Sequence, residues 1–160
     1  MDHREQIRDL AHTVGRGLTA YIDVHNRIFD EASTLKSVVK NIFGRGTAMS
    51  ELLHEAERLQ PLWGSIRRQI EEFRMAAMPS LTTHEQHYHH LLVSYANAVS
   101  RTVDALIDRQ RLLNEGSKTL KGKPMTWEAF QEKSRAYQAA VEGYKAIGKD
   151  LNDAAHLVFD

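Results

Sequence analysis

Residues 83–92, THEQHYHHLL, bring His84, His87, His89 and His90 close together in the chain. Neutral imidazoles bind zinc or copper, and protonated ones repel each other as the pH falls from about 7 to 5, so such a cluster suits a metal site or a proton switch. On an α-helix each residue turns by about 100°. With the core direction set by Tyr88, Leu92, Tyr95 and Val99, His84 falls nearest the core, His87 and His89 flank it on opposite sides, and His90 points away. No pair has the i, i+4 spacing that best lets two imidazoles share an ion. A metal site therefore needs His84 and His87 joined by His12, His156 or Asp153 from other segments. Without such a ligand the pattern predicts a packed His84 among solvated neighbours.

Other chemistries find less support. Glu51 with His54 and Asp153 with His156 have the i, i+3 form of a carboxylate-bridged di-metal centre, but they belong at opposite ends of any helical bundle this chain could build. GSKTLKGKP (116–124) lacks the spacing, the final Ser or Thr and the preceding strand of a phosphate-binding loop. The chain has no cysteine, which excludes thiolate catalysis, thiolate metal sites and disulfides. Ser65 lacks the flanking glycine of a nucleophile elbow, and no serine, histidine and acid can be grouped from the spacing. We expect no enzyme activity and no cofactor.

Charge is balanced overall, with 21 basic and 21 acidic residues, so no global field draws the chain to nucleic acid or membrane. Locally, Lys40, Arg45, Lys118, Lys121 and Lys123 lie in two segments poor in acid. They form either an anion-binding tip, for an anionic membrane or nucleic-acid phosphate, or a complement to helix dipoles. No apolar run approaches the roughly 20 residues of a spanning helix, and the charged start MDHREQIRDL does not read as a secretory signal. The expected location is the cytoplasm, and the expected organisation is a single domain over 1–160.

The elements that must position these residues are helices. Ile7, Val14, Tyr21, Ile28, Leu35 and Ile42 recur every seven residues, with Leu10, Val24 and Val38 beside them. Leu52, Leu59, Ile66 and Phe73 repeat likewise, with Ala56, Trp63, Ile70 and Ala77. The phase continues across Pro61, which predicts a helix kinked there instead of two helices. Tyr88, Leu92, Tyr95, Val99, Thr102, Leu106 and Leu113 mark a third stripe. Phe130, Tyr137, Tyr144, Leu151 and Val158, with Ala140, Ile147 and Ala154, mark a fourth. Thr47, Thr82 and Thr126 are candidate N-caps, Thr82 with Glu85 in a capping box and Met125 with Phe130 as a hydrophobic staple.

Short linkers between long helices predict an all-α, up-down-up-down antiparallel four-helix bundle. Aligning the helices by their linkers leaves Ile7, Leu10 and Val14 in an overhang. Gly15 and Gly17 beside it predict either a hinge that frees residues 1–14 as a helical extension, or a continuous helix packed closely at Gly17. The overhang predicts homo-oligomerisation through residues 2–14. The tyrosines on inward positions line a cavity or reach solvent at the edge of the stripe.

The function these features favour is a non-enzymatic interaction protein, an adaptor or regulator acting through its surfaces on a protein partner. The alternatives are a small-ligand or metal/pH sensor using the histidine-rich end or a tyrosine-lined cavity, and a peripheral module docking its basic tip on an anionic surface.

Overall fold

The computed structural model describes residues 2–32, 46–118 and 126–160, with the backbone alone at 30–32, 46–48 and 117–118. Four long α-helices run through these residues: α1 His3–Ala32, α2 Gly46–Ala77, α3 Thr83–Lys118 and α4 Trp127–Phe159. A single 3₁₀ turn, Met78–Ser80, joins α2 to α3. None of the described helices is long and apolar enough to cross a membrane.

The heptad positions carry the core. Ile7, Val14, Tyr21 and Ile28 of α1 are buried, as are Leu52, Ala56, Leu59, Trp63, Ile66, Ile70 and Ala77 of α2. The α3 stripe is buried in the same way from Tyr88 to Leu106, and α4 buries Tyr137, Tyr144, Leu151, Ala154 and Val158, with Ala140 and Ile147 half-buried. Leu35, Val38 and Ile42 lie outside the described residues. Apolar burial at about 25 cal/mol per Å² is the main force closing such a bundle.

Paired side chains show that neighbouring helices run antiparallel. Arg27 bridges to Glu55 at 2.8 Å between α1 and α2, and Gln60 donates to Asp104 at 2.8 Å between α2 and α3. Lys133 meets Asp108 at 3.4 Å between α3 and α4, and the Arg8 guanidinium near the start of α1 lies over Phe159 at the end of α4. The closest backbone packing is of α3 on α4 and on α2, with α1 on α2; α1 and α4 meet mainly through large side chains.

Thr82 and Thr126 cap their helices as their spacing predicts. Thr82 N–H donates to Glu85 Oε2 at 2.8 Å and Glu85 N–H donates to Thr82 Oγ1 at 3.3 Å, the reciprocal capping box. Thr126 Oγ1 accepts from Ala129 N–H at 3.2 Å and caps α4. The α2 helix begins at Gly46, one residue before Thr47, so Thr47 lies within the first turn and is not the residue before it. Met125, the other half of the expected staple, is outside the described residues; Phe130 meets Trp127 at 5.6 Å. Pro61 sits inside an unbroken α2 on its exposed face, where water can satisfy the carbonyl one turn back that loses its N–H partner.

The start of α1 is covered, not overhanging, and of the two alternatives at the glycines the continuous helix is the one found. The helix runs without a break through Gly15 and Gly17, and Ile7 and Val14 are buried. Phe73 near the end of α2 packs beside this stretch, and Phe159 at the end of α4 lies under Arg8. The helices α1, α2 and α4, of 30, 32 and 33 residues, are of nearly equal length, so the start of α1 is covered by the ends of its neighbours. That coverage removes the reason for expecting self-association through residues 2–14.

Gly17 explains the unbroken α1. A Cβ there would collide with Ile66 Cδ1 and come within 3.3 Å of Trp63 Cζ2, whereas a Cβ at Gly15 would meet nothing within 4 Å. Neighbouring glycines should therefore respond with opposite signs. Gly15→Ala is expected to stabilise by roughly 0.5–1 kcal/mol through helix propensity, and Gly17→Val to destabilise by about 1–3 kcal/mol through overpacking. Urea melts of the two variants check this; equal responses would mean α1 is not seated on Trp63. Gly148 plays the same part between α3 and α4, where a Cβ would approach Tyr95 Cε2 to 2.9 Å.

Candidate functional site

The histidines do not assemble as a ligand set. His12, His84, His87, His156 and Asp153 are exposed, and among the described residues no three His, Asp or Glu side chains group closely enough to hold a metal ion. His156 Nδ1 is 2.8 Å from Asp160, the C-cap residue of its own helix. Glu51, His54, Asp153 and His156 all face solvent. Lys40, Arg45, Lys121 and Lys123 lie outside the described residues, and Lys118 ends α3.

His89, expected at the flank, is the buried member of the cluster, and His84, expected nearest the core, is exposed. The reason is that α3 is covered on two sides. Besides the stripe facing α4, it buries His89, Ala96, Val103 and Gln110, seven residues apart, on a second face. His84 precedes the first residues that α3 buries on either face, Tyr88 and His89. His89 Nε2–H donates to the Ile70 carbonyl of α2 at 3.2 Å, and its Nδ1 has no partner among the described residues.

Burial is the main cause of a lowered His89 pKa, with His90 and Arg74 adding to it and the Ile70 carbonyl and Glu71 opposing it. Glu71 and Arg74 face His89 from α2, where they pair with each other, and His90 adjoins it on α3. Phe73 separates it from His3 of α1. The folded protein holds this proton less well than the unfolded chain, so its contribution is fully present above about pH 6.5 and is lost as the pH falls below that value. Stability should decline by up to about 1.4 kcal/mol per pH unit from this group. His89→Gln, which can still donate to Ile70, should flatten the fall in melting temperature between pH 7 and 5; an unchanged slope would clear His89.

A denser polar constellation lies between α1 and α4, toward the end of the bundle where α3 finishes and α4 begins. Tyr21 OH and Tyr137 OH are 2.5 Å apart, and His25 Nδ1 is 2.6 Å from the same Tyr137 hydroxyl. The Phe29 ring stacks on Tyr137 at 5.7 Å with an 8° interplanar angle, and His25 packs on Phe29 at 4.6 Å. Tyr144 meets Tyr21 edge-on at 5.8 Å and Tyr95 at 6.0 Å. The Tyr21 and Tyr137 hydroxyls at the centre thus lie on buried residues, with Tyr137 the shared partner of Tyr21 and His25.

Beside this network lies Arg109, only 8% exposed. Its guanidinium sits 4.8 Å from the Phe29 ring centroid and 5.0 Å from that of Phe130. Nε donates to Ser134 Oγ at 3.2 Å and Nη1 to Gln110 Oε1 at 2.7 Å. No carboxylate among the described residues pairs with it. Burial lowers its pKa, and Tyr137 acts in the opposite direction.

The phenols respond to burial in the other sense. Desolvation pushes Tyr137 up to about 12 and Tyr95 up to about 12, and raises Tyr21 further with help from the Tyr137 hydrogen bond. Neutral phenols are what this fold holds, so their contribution is complete below about pH 10 and is lost as the pH rises from there toward the folded values. A base titration should show melting temperature falling above pH 10, with tyrosinate absorbance appearing together with unfolding.

Composition did not reveal this site. His25 is isolated in the sequence, Arg109 stands in a basic segment, and Ser134 has no motif around it. A retrospective signal exists in the spacing: Tyr21, His25 and Phe29 are i, i+4, i+8, and Ser134 and Tyr137 are i, i+3 on the facing helix. A separate open cleft of about 470 Å³ between α2 and α3 is lined by the exposed Arg67, Arg68 and Glu71, by Asn97, and by the apolar Ile70, Val93 and Ala96. Comparison with protein-family models, with curated proteins and with solved structures finds no match for this chain.

Proposed function

We propose that this chain is a non-enzymatic helical-bundle regulator, and that the polar seam between α1 and α4 is where it reads a small ligand. The observation that carries this reading is the cluster of Tyr21, His25, Tyr137 and Arg109 inside a bundle whose other layers are mainly apolar. Packing alone would be met by Leu and Phe, and buried polar groups are costly unless their partners are well placed. Ionisable groups displaced by burial and gathered at one point are enriched at binding sites.

The location of the seam suits regulation. It joins two helices whose backbones pack less closely than those of α3 with α4 or α2, so a ligand that strengthens it would tighten the whole bundle. A thermal-shift screen of a metabolite library tests this, because a ligand bound to the folded state alone must raise the melting temperature. At least one compound should stabilise the native chain and lose its effect in Tyr137→Phe. A flat melting temperature across the library would overturn the proposal.

A further inference from the structure

We infer that the ligand of this seam is an organic monoanion, and that its carboxylate is received edge-on by Arg109. This rests on the reading of the seam as a ligand site and adds the chemistry of the ligand. A guanidinium has five N–H donors in a rigid plane. Two have partners among the described residues, Nε on Ser134 and Nη1 on Gln110, and both acceptors are neutral.

Phe29 and Phe130 lie within cation–π range of the guanidinium, which stabilises the charge without neutralising it. A buried cation is expensive until an anion balances it, and an Arg held this firmly loses little freedom when a carboxylate arrives. Ser134 and Gln110 fix the guanidinium plane and leave three N–H donors on Nη1 and Nη2, of the kind a planar, two-oxygen acceptor engages in pairs.

Charge balance among the described residues selects a monoanion. One guanidinium against one carboxylate leaves the buried layer neutral, whereas a phosphate dianion would leave an excess charge among Phe29, Phe130 and Tyr137. The same rings favour an apolar body behind the carboxylate. Benzoate is therefore a sensible first probe, with acetate as the carboxylate lacking that body.

The experiment titrates the native chain with benzoate, acetate, benzamide and inorganic phosphate, following melting temperature and the Arg109 Nε–H and His25 side-chain NMR signals. Benzoate should raise the melting temperature saturably and shift both signals, acetate should do so at least tenfold more weakly, and benzamide and phosphate should not. Arg109→Lys, which keeps the charge and loses the planar fork, should bind benzoate at least tenfold more weakly. Ser134→Ala, a milder change, should weaken benzoate while leaving the fold intact, so the proposal stays testable if Arg109→Lys does not fold.

Equal binding of benzamide and benzoate at the seam would overturn the monoanion and leave the seam a ligand site. Tighter binding of phosphate than of benzoate would overturn the carboxylate. No response of either NMR signal to saturating millimolar benzoate would overturn the inference, while the metabolite screen would still decide the broader reading.

Discussion

Replacing Trp63 by alanine is expected to remove about 3–5 kcal/mol of stability, a large share of the 5–15 kcal/mol typical of a domain. Trp63 is fully buried on α2, and its ring lies against the space left by Gly17 on α1. Truncation leaves a cavity that Ile66, itself pressed toward Gly17, cannot fill without opening the α1–α2 contact. Trp63→Phe should cost far less, under about 2 kcal/mol, for a specific reason: the indole Nε1–H has no acceptor among the described residues. Phenylalanine keeps an aromatic body and deletes a donor that is already unsatisfied. Urea unfolding followed by circular dichroism measures both. A Phe variant as weak as the Ala variant would mean the indole nitrogen has a partner that matters.

Tyr137→Phe is expected to cost about 1–3 kcal/mol, more than Tyr21→Phe at the other end of the same hydrogen bond. The hydroxyl of Tyr137 is shared by Tyr21 and His25, so its removal breaks two contacts at once. Removal of the Tyr21 hydroxyl leaves Tyr137 still held by His25. The double variant should cost less than the sum of the two singles, because once both phenols are gone their common bond is counted only once. Strict additivity in that cycle would show the two hydroxyls to be independent, and the reading of Tyr137 as the hub would fall with it.

The fold was legible because burial follows a period of seven over four long segments. Tyr21, Trp63, Leu92 and Leu151 were placed inside by spacing alone, and all are buried. The reciprocal bonds of Thr82 and Glu85 were also readable, since a capping box involves only residues three apart. The continuity of α1 was left between two alternatives. Helix propensity counts both glycines as weak points, and only the position of Trp63 and Ile66 on another helix makes Gly17 a packing residue.

The site was much less legible. The dense run of histidines drew attention to residues 83–92, yet only His89 is buried there, because α2 covers a face of α3 that one helical wheel leaves outside the stripe. His25 and Arg109, 84 positions apart by 109 − 25, carry no shared motif. They come together through Phe29 and Tyr137, which a stripe of inward positions describes only as core.

What the sequence by itself determined is the set of helices, their caps and the residues that face inward, because helical period and capping act over a few neighbouring residues. What only the tertiary structure decided is which inward polar groups meet. Tyr21 and Tyr137 are 116 residues apart and share a hydrogen bond because α1 and α4 lie side by side with that register. Arg109 became a buried cation for the same reason: its neighbours Phe29, Phe130 and Ser134 come from two other helices. Periodicity fixes direction relative to a helix axis. Register and distance between helices are set by how four stripes, with glycines at their close contacts, settle into one core.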